Sequence, residues 1–76
     1  MHRVDAARNL ARVPGRAAEA TGRLFVAKRC HEAAKAGGFD AQVLAAVLQD
    51  VLASLDAAAH AGAQAEAAEI EQALPP

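Results

Sequence analysis

Between Val43 and Leu55, bulky apolar residues recur every three or four positions, and this segment restricts the chain more than any other. Val43, Val47 and Val51 form one row, Leu44, Leu48 and Leu55 a second, and Leu52 widens the stripe to about 180° of a helical wheel. That is a helix with an unusually wide apolar face. Period-two alternation is too rare anywhere in the chain to suggest a sheet. Phe39 and Asp40 mark the entry: Asp is a favoured N-cap, and an apolar residue just before the cap can pack on Leu44 as a hydrophobic staple. The predicted helix runs over residues 41–61 and ends at Gly62.

The rest of the chain offers less bulk. Of 76 residues 54 % are hydrophobic, but much of that is alanine, which favours helices and buries little surface per side chain. Asp5 can cap a short helix over 5–13, with Ala7, Leu10 and Ala11 on one side and Pro14-Gly15 ending it. A second helix is predicted from Arg16 or Thr21 to Ala36, where Gly37-Gly38 can take a left-handed cap. On it Ala20, Leu24, Ala27, Cys30, His31 and Ala34 share one face, with Val26 and Ala33 at its edge. Phe25 projects elsewhere, among Lys28, Arg29 and Glu32, where it either stands as a contact residue or packs under the first helix as part of the core. A last helix is expected over 63–74, stopped by Pro75-Pro76, because a straight continuation through Gly62 would carry Ile70 and Leu74 off the leucine face; the alternative is one continuous helix bent near Gly62, since glycine inside a helix costs only about 1 kcal/mol.

These elements define an all-α fold: a single domain over 1–76, built as a compact bundle of three to four short helices. The helix from Ala41 has more apolar face than such short, alanine-rich neighbours are expected to cover. Completion by dimerisation is therefore anticipated, with Val43, Leu44, Val47, Leu48, Val51, Leu52 and Leu55 as the core or dimer stripe. No uncharged apolar run reaches the roughly 18 to 20 residues of a membrane-spanning helix, and the first residues lack the apolar core of a secretory signal. The lone Cys30 fits a cytoplasmic setting.

Charge is divided sharply along the chain. Residues 1–36 hold eight basic and three acidic side chains, net +5, whereas residues 37–76 hold six acids and no base, net −6, which together give the overall −1. The plain reading is that the two halves fold on each other, within one chain or across a dimer. The sharper one is that Arg8, Arg12, Arg16, Arg23, Phe25, Lys28 and Arg29 bind a partner, either an acidic protein surface or nucleic acid. The acidic half would repel phosphate, no zinc-finger or helix-turn-helix pattern is present, and only two aromatics are available for stacking.

Candidate chemistry is sparse. Cys30 and His31 are neighbours and diverge by about 100° on a helix, so they cannot readily serve each other as nucleophile and base. Asp56 and His60 have the i, i+4 spacing of two metal ligands, but the reading better founded is His60 beside a helix C-terminus. Ser54 reads as buried in mid-helix, and Gly37-Gly38 lacks the lysine of a phosphate-binding loop. Glu66, Glu69 and Asp50 have no nameable convergent partner. No catalytic, metal or cofactor site is expected. The functional expectation is a small non-enzymatic interaction module, an adaptor or inhibitor that docks a helical surface on a larger macromolecule. Mobile-element inhibitors of host machinery, such as anti-CRISPR proteins, include many small helical chains, although no motif here carries that link. The alternative is a small nucleic-acid-binding regulator using the basic half. Neither a membrane nor a small-molecule substrate is expected as partner.

Overall fold

The computed structural model describes residues 14–75, so the expected helix over 5–13 lies outside the described residues. Three helices follow: α1 (Pro14–Ala36), α2 (Ala41–Ser54) and α3 (Ala57–Ala73), with no strand among the described residues. The fold is all-α, as the periodicity required.

Pro14 opens α1 rather than ending an earlier helix. At a first helical position its missing N–H costs nothing and its fixed φ already suits the helix. α1 closes where the sequence predicted, at Gly37 and Gly38, both with positive φ, and the Gly37 N–H donates to the carbonyl of Ala34 at 3.2 Å. Asp40 caps α2 through Oδ1, which accepts from the Val43 N–H at 2.9 Å. Phe39 is half-buried and packs against the core that contains Leu44.

The largest departure from expectation is the end of α2. The helix predicted over 41–61 stops at Ser54, Leu55 takes an extended backbone, and α3 runs to Ala73 straight through Gly62. Two polar side chains decide this corner. Asp56 Oδ1 accepts from the Ala59 N–H at 3.2 Å, capping the new helix, while His60 Nε2 reaches back to the carbonyls of Leu52 at 2.9 Å and Leu55 at 3.1 Å. Both acceptors are carbonyls, so Nε2 carries the proton. Asp56 thus satisfies N–H groups at the start of α3 and His60 satisfies C=O groups at the end of α2. The change of phase that places Ile70 and Leu74 apart from the leucine row is real, but it originates at Leu55.

Gly62 has a different task. Glu19 packs on Gly62 while Arg23 reaches Glu66 and Glu69, so contacts advance together along both helices and α1 runs parallel to α3. This is the most extensive packing in the molecule. It is made backbone to backbone. A Cβ added at Gly22 would collide with the Ala59 carbonyl and lie 2.7 Å from the Ala63 nitrogen, and one at Gly62 would collide with the Glu19 carbonyl and lie 2.7 Å from the Glu19 Cα. The two glycines are therefore reciprocal notches, and around them Ala59, Ala63 and Ala67 are buried.

The core gathers Val26, Cys30, Leu44, Val47, Val51, Ala63 and Ala67, with Phe39, Val43, Leu48, Leu52, Leu55, Ile70 and Leu74 packed on it. Val26 and Val51 are its largest fully buried side chains. The α2 stripe is covered by its own chain: Leu44, Val47 and Val51 are buried and the other four members are half-buried. α1 also faces differently from the expectation. Gly22, Val26 and Cys30 point inward with Ala33 half-buried, while Ala20, Leu24, His31 and Ala34 are exposed. Bulk was expected to choose the buried side, but close approach to α3 selects the side that carries glycine.

Candidate functional site

The residues singled out as a partner surface lie largely on α1, and the fold divides them. Arg8 and Arg12 lie outside the described residues. Arg23 is occupied: Nη1 donates to Glu69 Oε2 at 2.8 Å and Glu66 Oε1 at 3.1 Å, and Nε lies 4.0 Å from Glu19 Oε1. The hydrogen bonds to Glu69 and then Glu66 make the guanidinium hold its proton more tightly than usual. Arg29 pairs with Asp50 of α2. These bonds join the basic and acidic halves within one chain. The intramolecular reading of the charge division therefore applies to Arg23, which ties α1 to α3, and to Arg29, which ties α1 to α2.

Arg16 and Lys28 remain exposed and, with Lys35, form no ion pair among the described residues. Beside them stand the exposed large hydrophobic side chains of the described residues, Leu24 at 64 % and Phe25 at 43 % exposure. Phe25 borders two shallow recesses. One, about 230 Å³, is lined by Lys28, Arg29 and Glu32, the neighbours that helical spacing predicted. The other, about 330 Å³, lies against the α2–α3 corner and is lined by Ala18, Thr21, Ser54, Leu55, Asp56 and Ala59. The ring thus has apolar support beneath it and a charged rim beside it, a composition enriched at protein interfaces.

Sequence reasoning missed Leu24. Helical spacing puts it on the inward face by bulk, although Gly22 two residues earlier is the available sign that the inward face lies elsewhere. A third groove, about 250 Å³, runs between α2 and α3 and is lined by Leu44, Ala45, Leu48, Gln64, Ala67, Ala68 and Glu71.

The groups with chemical potential are engaged in structure. Cys30 is buried, and burial followed by the charge of Glu66 pushes its thiol above the ordinary value, so the nucleophilic thiolate is disfavoured. His31 is exposed, about 100° around the helix from Cys30. Ser54 is exposed at the end of α2, where its hydroxyl donates to the Asp50 carbonyl at 3.1 Å; the expectation that it is buried in mid-helix is corrected by the helix ending there. Asp56 and His60 spend their polar atoms on the corner. Among the described residues no three His, Cys, Asp or Glu side chains gather as a metal-binding group, and no helix is long and apolar enough to cross a membrane. Comparison with protein-family models, curated proteins and solved structures finds no match to this chain.

Proposed function

We propose that this chain is a small non-enzymatic interaction module of the cytoplasm, an adaptor or inhibitor that docks the outer surface of α1 on a larger protein. The observation that carries the reading is the adjacent pair Leu24 and Phe25, both exposed beside Lys28 in a chain whose other large apolar groups, among the described residues, are buried or half-buried. Full burial of a leucine or phenylalanine is worth about 1.5 to 3 kcal/mol; Leu24 and Phe25 forgo the part that matches their exposure, and a partner that covers them recovers some of it. The reduced, buried Cys30 is in keeping with a cytoplasmic setting. Among the described residues Arg23 and Arg29 are paired with Glu66, Glu69 and Asp50, and eight acids against five bases would repel a phosphate backbone, which favours a protein partner over nucleic acid.

Site-specific photo-crosslinking in the cell of origin tests this directly. A photoreactive phenylalanine analogue in place of Phe25 should cross-link one protein species, and the same analogue at Gln72 on α3 should not. Cross-links to nucleic acid, or identical patterns from both positions, would overturn the reading.

A further inference from the structure

Turning Gly22 inward leaves a second, complete seam on the outside of α1. Ala17, Ala20, Leu24, Ala27, His31 and Ala34 follow one another at spacings of three, four, three, four and three, the repeat by which one helix lies along another in a coiled coil. Ala27 is half-buried and the rest are exposed. Small residues on such a seam permit close approach, and Leu24 supplies one bulky anchor at its middle.

Charge identifies the occupant. The positions flanking the seam are Arg16 and Arg23 with Cys30 on one side, and Thr21, Lys28 and Lys35 on the other, without a carboxylate. Arg23 is turned to Glu66 and Glu69, whereas Arg16, Lys28 and Lys35 have no ion pair among the described residues. A second copy of the chain laid on the seam would bring no carboxylate to the flanking positions in either direction. Parallel pairing sets Arg23 against Lys28 of the other copy, and antiparallel pairing sets lysine against lysine. A helix with glutamates or aspartates at its flanking positions converts each of these contacts into attraction. The strip also stands out from its own body: residues 14–75 hold five basic and eight acidic side chains, net −3, yet this strip is basic.

We propose that the outward seam of α1 is a coiled-coil docking strip for an acidic amphipathic helix of another protein, anchored by Leu24 and read by Arg16, Lys28 and Lys35. The proposal rests on the docking surface described above and names the chemistry of its partner.

The probe is a fluorescent four-heptad peptide with Leu at a, Ala at d and Glu at every e and g position, titrated with the full chain and followed by anisotropy at low and high salt. A twin peptide carries Lys at e and g. The Glu peptide should bind saturably in the micromolar range and weaken with salt, and the Lys peptide should not bind. Leu24→Glu and the pair Lys28→Glu with Lys35→Glu should each weaken binding tenfold or more while the melting temperature stays within a few degrees. The double lysine variant should now accept the Lys peptide, a reversal that loss of folding cannot produce. No binding of the Glu peptide at 100 µM, equal binding of both peptides, or self-association of the wild-type chain that Leu24→Glu abolishes overturns the proposal. If the peptide fails while position 25 still gives a single protein cross-link, the acidic helix is rejected and the docking surface stands; if both fail, both readings fall.

Discussion

The two faces of α1 carry similar amounts of apolar character but meet opposite fates. The inner face holds Gly22, Val26, Cys30 and Ala33; the outer holds Ala20, Leu24, Ala27, His31 and Ala34. By hydrophobicity alone the leucine face would be buried. It is not, because the partner across the interface is α3, whose own contact residues are Ala59, Gly62, Ala63 and Ala67. Helices so poor in bulk gain little from transfer of side chains out of water and gain instead from backbone proximity, where many atoms come within van der Waals distance at once. A leucine at the crossing would hold the helices apart. What a face lacks can therefore decide its burial as firmly as what it presents.

The comparison can be broken most severely at the notch. Gly22→Ala offers about 1 kcal/mol of helix propensity, but its methyl group meets backbone that cannot swing aside, so we expect a net loss of about 3 kcal/mol or more and disappearance of the cooperative melt followed by circular dichroism. Val26→Ala, on the same face but without a clash, should cost about 2 kcal/mol for two buried methyl groups and the cavity they leave, read as a lower urea midpoint. Asp56→Ala removes the cap of α3 and should cost about 1 kcal/mol.

A smaller effect is confined to alkaline pH. The folded Cys30 thiol ionises above its ordinary value of 9.0, so stability is full below that value. It falls as pH rises further, because the unfolded thiol ionises first, and Cys30→Ala should remove that decline from a series of urea midpoints. Smallest of all, Leu24→Ala on the outer face should change stability by no more than about 0.5 kcal/mol, in contrast with Val26→Ala two residues away. A loss as large as that of Val26→Ala would place Leu24 in the core and dissolve the distinction between the faces.

The legible part of this fold is the part written in bulky residues. Val43, Leu44, Val47 and Val51 announce α2, and Phe39 with Asp40 announces its start, because wide apolar periodicity and a polar cap are local signals. The α2–α3 corner was not legible, since Asp56 reads equally well as a mid-helix acid until His60 is seen to cover the carbonyls behind it. The inner face of α1 was hidden for a related reason: glycine at position 22 has meaning only opposite Ala59 and Ala63, some forty residues away in the chain. Of the candidate surface, Phe25 with Lys28, Arg29 and Glu32 follows from helical spacing. The pairing of Arg23 and Arg29 required knowing which acids the bundle brings to them.

The parallel arrangement of α1 and α3 also bears on the order of assembly. Only residues 55 and 56 separate α2 from α3, whereas the tie from Arg23 to Glu66 spans 43 positions, so the largest interface must close the longest loop. Closure entropy rises with that length, and the local hairpin of α2 and α3 can meet its own capping needs beforehand. Closure entropy thus favours setting α1 in place after that hairpin. A protein that grips its outer side holds the piece on which the closure of the whole bundle depends.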